Sequence, residues 1–205
     1  RRYDLRQASQ PVWQLVDERL QAALAEAAAP ARAPGRLTVW QMYNMGLLAR
    51  AGDAVIGMDL LPSAQASPDF NRRVASLLQA LLISHGHSDH YDRDLVRACL
   101  GQGCPVWMPS SLAGEWEHEP LVHPVDEYRD AETNGLRIVA RRGVHVWAAS
   151  RKDPHTVYYE VTFASGPTLL FCGDLDYTRE LERTPGREVD LLVLPWRSPS
   201  ALYEP

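Results

Sequence analysis

Residues 81–92, "LLISHGHSDHYD", place three of the chain's seven histidines within six positions, directly after a short apolar run. Alternate residues of an extended segment point to the same side, so His85 and His87 are expected to face one point in space. A turn into a following helix would direct Asp89 and His90 toward a neighbouring point. Four imidazole and carboxylate groups in six residues therefore predict two adjacent metal positions, suited to zinc, iron or manganese.

The rest of the chain shows many strand-like segments with helices between them. An amphipathic helix is predicted from Pro11 to about Ala29, and "AAAPARAPGR" at 27–36 has the composition of a linker. The predicted strands are 37–50, 54–60, 80–84, 105–109, 135–147, 156–163, 168–174 and 190–195, and a second helix is predicted at 92–100. This pattern favours an α/β (α+β) sandwich over a doubly wound parallel sheet.

Turn-forming sequences between the predicted strands indicate antiparallel pairing. "AGD" at 51–53 and "ASGP" at 164–167 each separate two strand-like segments, as hairpin turns do. We divide the chain into an N-terminal helix with its linker, residues 1–36, and one strand-rich domain, residues 37–205. A length of 205 residues suits a single core of this kind.

Composition lowers the expectation of several functional classes. The net charge of −5 gives no basic face of the kind that a general nucleic-acid binder carries, so no nucleic-acid partner is expected. No apolar run approaches the roughly 18 residues that a membrane span requires. Three cysteines are an odd number, which does not suit a disulfide framework and instead favours a reducing, cytoplasmic location.

Five segments in a fixed order resemble the metallo-β-lactamase fold superfamily. "HGHSDH" matches its HxHxDH signature, and "VIGMDL" resembles an early strand that ends in an aspartate, here Asp59. "VARRGVHVW" resembles the segment with the third histidine, here His145, and "LLFCGDLDY" the strand ending in Gly-Asp, here Asp174. "VDLLVLP" resembles the strand before the last ligand. The resemblance covers 37–195 and looks closest to the lactonase-like and N-acyl-phosphatidylethanolamine-hydrolase-like branches.

The resemblance implies an αββα four-layer sandwich and a set of metal ligands. The first metal would be held by His85, His87 and His145. The second would be held by Asp89 and His90, with Asp174 bridging the two. Asp59 would orient the ligand loop through hydrogen bonds rather than bind metal. Asp89 would also act in catalysis, by orienting a hydroxide held between the cations.

One ligand of the family pattern has no counterpart in this sequence. The family has a further histidine after the last strand, whereas the residues that follow Pro195 read "WRSPSALYEP". We expect that histidine beyond Pro205, because the fold's closing helix and strand are also expected there. The alternative is that the second metal position is incomplete.

These observations lead to three functional hypotheses. The first is a hydrolase that uses a metal-bound hydroxide, with two zinc ions or with manganese or iron, to cleave an ester, lactone, amide or phosphodiester bond. The second is an iron-dependent redox member of the same fold, and the third is a degenerate metal-binding protein without activity. The expected partner is a small-molecule substrate, which His155 could contact. A homo-oligomer is compatible with the sequence.

Overall fold

The computed structural model describes residues 10–30, 33, 35–42, 45–62, 68–146, 155–176 and 188–195. The helices are α1 (Gln10–Ala28), α2 (Pro68–Leu77), α3 (Arg93–Gly101) and α4 (Ser110–Ala113), which a 3₁₀ turn (Gly114–Trp116) follows. The strands are β1 (Leu37–Gln41), β2 (Leu47–Ala51), β3 (Ala54–Met58), β4 (Ala80–Leu82), β5 (Val106–Pro109), β6 (Val122–Val125), β7 (Tyr128–Thr133), β8 (Leu136–Val144), β9 (His155–Phe163), β10 (Thr168–Phe171) and β11 (Leu191–Val193).

Two β-sheets pack face to face and enclose an apolar core. The first sheet has the order β1-β2-β3-β4-β5-β6 and changes from antiparallel to parallel pairing at β3. The second has the order β11-β10-β9-β8-β7 and is antiparallel except for the pair β10–β11. Between the sheets, Met58 and Trp107 of the first pack with Tyr159 and Phe171 of the second. This core holds the strand ends of both sheets at one common edge.

Helices α1, α2 and α3 cover the outer face of the first sheet. Side chains alternate across a strand, so residues such as Leu81 and Val106 point away from the second sheet. They pack with Leu20 of α1, Val74 of α2 and Val96 of α3. None of the helices in the described part of the chain is both long and apolar enough to cross a membrane.

The outer face of the second sheet carries a smaller apolar cluster. Tyr158, Leu170, Cys172 and Leu175 form it, and the partly buried Val189 and Leu194 pack against it. The described residues therefore show three layers, with the helices on one side and the two sheets beside them. The fourth layer of the expected sandwich lies outside the described residues.

Helix α1 is attached to the sandwich through the side chain of Arg50. Its guanidinium donates to the carbonyl oxygen of Ala27 at 2.8 Å and to that of Ala29, near the end of the helix. Because the last carbonyl groups of a helix have no partner within it, Arg50 supplies hydrogen bonds that would otherwise be missing. Leu20 is buried in the shared core, whereas Leu15 remains 54% exposed. The division after residue 36 stays a prediction.

The structure confirms the mixed α/β sandwich and both predicted hairpins. Strands β2 and β3 pair around a turn in which Gly52 has a φ of 60°, and β9 pairs antiparallel with β10. The prediction of one continuous strand over 37–50 is wrong. The chain reverses between β1 and β2, where the backbone N–H of Met42 donates to the carbonyl of Gly46 at 2.8 Å, so the two halves pair with each other.

Candidate metal centre

The candidate ligands follow strands that end at the same edge of the sandwich. Asp59 comes directly after β3 and His85 shortly after β4, and these two strands are parallel neighbours. His145 follows β8 of the second sheet, and Asp174 follows β10. The backbone bond from Val146 N–H to the carbonyl of Asp174, at 2.8 Å, joins the last two segments. Residues distant in sequence are therefore brought together by both sheets.

Three histidines and one aspartate form a compact group at this edge. One ligand atom from each of His85, His87, His145 and Asp174 lies within 4.8 Å of the others. Nε2 of His85 lies 2.5 Å from Nδ1 of His87, and Nε2 of His145 lies 3.5 Å from Oδ2 of Asp174. Ligands at about 2.0–2.1 Å from a tetrahedral ion stand about 3.3 Å apart, so small side-chain shifts would let all four reach one ion.

A second group of possible ligands adjoins the first. Nε2 of His90 lies 3.8 Å from Oδ2 of Asp174 and 3.9 Å from Oδ2 of Asp89. Asp174 thus contacts residues of both groups, and its bridging role stays a prediction. The His90 side chain is fully buried, whereas the side chains of Asp174 and Asp89 are 24% and 51% exposed. The cluster is therefore open to solvent on the side of these two carboxylates.

Asp59 lies next to the cluster and is hydrogen-bonded to His90 and to Ser84. Its Oδ2 lies 2.6 Å from Nδ1 of His90, and its Oδ1 accepts from the backbone N–H of Ser84 at 2.7 Å. The residue is completely buried and has a φ of 44°, a backbone conformation that non-glycine residues seldom adopt. One ligand atom from each of Asp59, His85 and His90 also lies within 4.8 Å of the others, so the orienting role that the sequence predicts for Asp59 stays a prediction.

The charges in the cluster stabilise one another. Burial alone would lower the pKa of His90, but the charge and hydrogen bond of Asp59 and the charges of Asp174 and Asp89 outweigh it and raise that pKa. Burial would raise the pKa of Asp174, but a hydrogen bond from His145 and the neighbouring imidazoles lower it instead. Without a metal ion, His90 therefore holds its proton more strongly, and Asp174 loses its proton more readily, than the same side chain in water. A cation would take the place of such protons.

Hydrogen bonds and packing hold the far end of the histidine loop. The hydroxyl of Tyr91 donates to Glu115, and Nε1 of Trp116 donates to the same hydroxyl at 3.2 Å. Burial and the hydrogen bond to Glu115 raise the pKa of Tyr91 to about 12. Arg93 completes the network through a 2.7 Å ion pair with Glu115. Local sequence patterns do not predict this network, because Tyr91 and Glu115 are 24 positions apart.

Two glycines leave room for the approach of the ligand-bearing segments. A Cβ on Gly143 would lie 2.2 Å from Cδ1 of Leu175, which pairs with His145 across a β-bridge. A Cβ on Gly173 would lie 2.6 Å from both Cβ and Oγ of Ser84. A side chain at position 143 would therefore separate the segments that carry His145 and Asp174, and one at position 173 would separate the segments that carry Asp174 and His85.

His155 lies near the cluster but outside it. It pairs with Val144, the residue before His145, and lines a cavity of about 130 Å³ together with Ser110, Asp126 and Arg142. His123 lies elsewhere, where its ring stacks on Trp107 with centroids 4.9 Å apart. The placement of His155 at the same edge is compatible with the predicted substrate contact.

Comparison with known proteins identifies the family and the fold of the chain. The model of a family described as a beta-lactamase superfamily domain matches residues 53–201 of the chain. No curated protein matches the chain significantly. A solved structure from Parabacteroides distasonis ATCC 8503, assigned as a metal-dependent hydrolase, superposes with a TM-score of 0.61 at 17% identity, over 80% of this chain and 71% of that one.

Two further solved structures share the fold. CmlA, a diiron beta-hydroxylase from Streptomyces venezuelae, superposes with a TM-score of 0.58 at 16% identity, over 78% of this chain and 34% of that one. An isothiocyanate hydrolase from Delia radicum gut bacteria superposes with a TM-score of 0.54 at 17% identity, over 78% of this chain and 71% of that one. At these identities the likeness establishes the fold, and with the match over residues 53–201 the chain belongs to the beta-lactamase superfamily domain family.

Proposed function

We propose that the protein is a metal-dependent hydrolase whose centre is the His/Asp cluster at the edge of the sandwich. The observation that carries this proposal is the convergence of His85, His87, His145 and Asp174 to within 4.8 Å, from segments of both sheets. Three of these side chains are imidazoles, and the fourth is a carboxylate that also contacts His90. Such a set of nitrogen and oxygen ligands suits zinc, manganese or iron.

The ligand groups divide between two adjacent metal positions. His85, His87 and His145 would hold the first ion, Asp89 and His90 the second, and Asp174 would bridge them. A bound divalent metal would lower the pKa of a coordinated water and polarise a carbonyl or phosphoryl oxygen of the substrate. The sequence has no histidine after Pro195, so the described residues offer fewer ligands to the second position than to the first.

Asp89 is the residue that we assign to the reaction itself. Its carboxylate is the most exposed of the cluster, and it lies 3.9 Å from Nε2 of His90. From this position it can accept a hydrogen bond from the attacking water and turn that water toward the substrate. His87 is half-buried beside it, whereas His85, His90 and His145 are buried and serve to hold the centre together.

The substrate would be a small molecule with an ester, lactone, amide or phosphodiester bond. The cavity of about 130 Å³ that His155 lines offers a place for the part of the substrate that does not react. His155 and Arg142 line this cavity and can donate hydrogen bonds to it. His155 is therefore our candidate for a substrate contact, and its substitution should raise KM more than it lowers kcat.

A matched pair of variants tests the proposal. Asp89→Asn keeps the size of the side chain but removes its charge, and Asp94→Asn makes the same change on the exposed face of α3, outside the cluster. After loading with zinc or manganese, we expect the wild type and Asp94→Asn to hydrolyse a member of a panel of lactones, esters, amides and phosphodiesters. Asp89→Asn should lose about 10²–10⁴-fold in turnover. Absence of bound transition metal from the wild type near neutral pH would refute the proposal.

An iron-dependent redox reaction is the second candidate. The ligand groups contain nitrogen and oxygen and do not require a thiolate, which suits iron as well as zinc. CmlA, which shares the fold, is named as a diiron beta-hydroxylase. Iron-loaded protein that consumes dioxygen and shows an iron absorption spectrum, but hydrolyses none of the panel, would favour this candidate over the first.

Several narrower predictions remain proposals. We retain the lactonase-like or N-acyl-phosphatidylethanolamine-hydrolase-like branch, which the general character of the sequence resembles most. We also retain a cytoplasmic location, which is supported by free cysteines at 99, 104 and 172, all of them buried. A homo-oligomer is compatible with the exposed Leu15 on α1.

A further inference from the structure

A buried serine connects Asp59 to the first histidine of the cluster. Ser84 is completely buried, and its hydroxyl donates to Oδ2 of Asp59 at 2.5 Å. The same oxygen lies 2.9 Å from Nδ1 of His85. Ser84 thus lies between the two side chains, with both contacts within hydrogen-bond distance.

The chemistry of the three groups fixes the direction of these hydrogen bonds. An ionised carboxylate can only accept, and a hydroxyl has a single proton to donate. Once Ser84 donates that proton to Asp59, its oxygen can only accept from Nδ1–H of His85. The other ring nitrogen, Nε2, then carries the lone pair, and it faces Nδ1 of His87 at 2.5 Å. This is the tautomer that can bind a metal through Nε2.

The same carboxylate oxygen acts directly on a histidine of the second group. Oδ2 of Asp59 lies 2.6 Å from Nδ1 of His90, which places the proton on that nitrogen. Nε2 of His90 is then left to face Asp89 and Asp174, at 3.9 and 3.8 Å. One buried carboxylate therefore keeps the proton on Nδ1 of a histidine in each group. It does so directly for His90 and through the hydroxyl of Ser84 for His85.

Packing holds the Ser84 hydroxyl in place between its two partners. The carbonyl oxygen of Ser84 accepts from the backbone N–H of Val157 at 2.8 Å and from the hydroxyl of Thr156 at 3.3 Å. The backbone N–H of Ser84 donates to Oδ1 of Asp59. Gly173 lies so close to the side chain of Ser84 that a Cβ on Gly173 would overlap with it. Strand β9 and the segment before Asp174 thus enclose Ser84 on different sides.

We propose that Ser84 is a positioning residue that relays the carboxylate of Asp59 to His85, so that one buried aspartate holds a histidine of each candidate metal position in its metal-binding tautomer. The inference rests on the proposed metal centre. A histidine ligand that donates its second N–H to a fixed acceptor is a better oriented and more basic ligand, and loss of such an acceptor typically weakens metal binding by about 10–100-fold.

Metal affinity of matched serine variants tests the relay. The affinity of the metal-free full chain for Zn²⁺ is measured by competition with a chromophoric chelator, for the wild type, Ser84→Ala, Ser84→Thr and Ser88→Ala. Ser88 is an exposed serine of the same loop and serves as the control. We expect Ser84→Ala to bind Zn²⁺ about 10–100-fold more weakly. Ser84→Thr, which keeps the hydroxyl, should recover most of the loss, and Ser88→Ala should bind like the wild type.

The tautomers of the two histidines separate a relay from a general loss of structure. Nitrogen-15 NMR of the metal-free protein, at a pH where both imidazoles are neutral, reports which ring nitrogen carries the proton. In Ser84→Ala, His85 should lose its preference for the Nδ1–H form, while His90 should keep it because Asp59 contacts His90 directly. In Asp59→Asn, both histidines should change.

The outcomes distinguish this inference from the proposed function. If the wild type binds no Zn²⁺, the metal centre itself is refuted. If the wild type binds Zn²⁺ and Ser84→Ala binds it equally well, or if the tautomer of His85 does not change, the relay is refuted and the metal centre stands. An equal change at His85 and His90 in Ser84→Ala would also refute the relay, because it would indicate a collapse of the loop.

Discussion

Replacement of Gly173 by alanine should destabilise the protein by two separable physical effects. Gly173 has a φ of 52°, and a Cβ at this position would lie 2.6 Å from Cβ and Oγ of Ser84. The left-handed backbone costs an alanine about 1–2 kcal/mol, and the steric overlap with a fixed neighbour costs about 1–3 kcal/mol more. The expected loss in the free energy of unfolding is therefore about 2–5 kcal/mol.

Gly103→Ala is the matched control, because it retains the first effect and lacks the second. Gly103 has a φ of 74°, and no atom lies within 4 Å of the Cβ that would be added. Its loss should be about 1–2 kcal/mol. Urea unfolding of both variants and the wild type in the presence of a chelator measures the difference without a contribution from metal binding. Equal losses for the two variants would refute the close approach of Gly173 to Ser84.

Three further predictions concern other parts of the molecule. Removal of bound metal by a chelator should lower Tm by about 5–10 °C if the metal is present at about 100 times its Kd, and an unchanged Tm in calorimetry would argue against a folded-state metal site. Arg50→Met should cost about 1–3 kcal/mol in urea unfolding by leaving the carbonyls of α1 unsatisfied, whereas the exposed Arg36→Met should change stability by less than about 0.5 kcal/mol. Burial and the charge of Arg129 lower the pKa of His123, so the NMR titration midpoint of His123 should lie below 6.5 and should rise in Arg129→Met. The corresponding contribution to the free energy of unfolding is present above pH 6.5 and is lost as the pH falls through the pKa of His123 in the folded protein. A midpoint that Arg129→Met leaves unchanged would exclude the effect of the Arg129 charge.

The elements with strong local signals could be predicted from the sequence. Helix α3 has the capping residue Asp92, whose side chain accepts from the backbone N–H of Leu95 at 2.8 Å, and the predicted helix at 92–100 agrees with it. The hairpin turn at Gly52 and the apolar strands β4 and β5 were also recognisable, because burial on both faces makes them continuously apolar.

Elements whose sequences lack such signals were not predicted. Strand β7 reads "YRDAET" and lies at the edge of its sheet, where its polar side chains face solvent and give little apolar alternation. Helix α2 spans ten residues and buries only Phe70, Asn71, Val74 and Ala75, so its apolar face is short. The reversal between β1 and β2 was missed because both strands are apolar and the turn between them is brief.

The sequence predicts most residues of the cluster, but it does not predict the residues, such as Ser84, that hold those side chains in place. His85, His87 and His90 stand close in sequence, and His145 and Asp174 were found through the order of family motifs. Ser84 was visible only as the last residue of a predicted strand, although it contacts Asp59 from 25 positions away. Such contacts depend on tertiary packing, which local sequence patterns do not encode.

Anomalous diffraction from crystals of the metal-loaded protein tests the central claim most directly. Data collected at the absorption edge of zinc should show one peak among His85, His87 and His145 and a second beside Asp89 and His90, about 3.5–4 Å from the first. A single peak at the first position would contradict the two-metal arrangement. Absence of any peak in the cluster, or peaks only elsewhere on the molecule, would contradict the account of this protein as a metal-dependent enzyme.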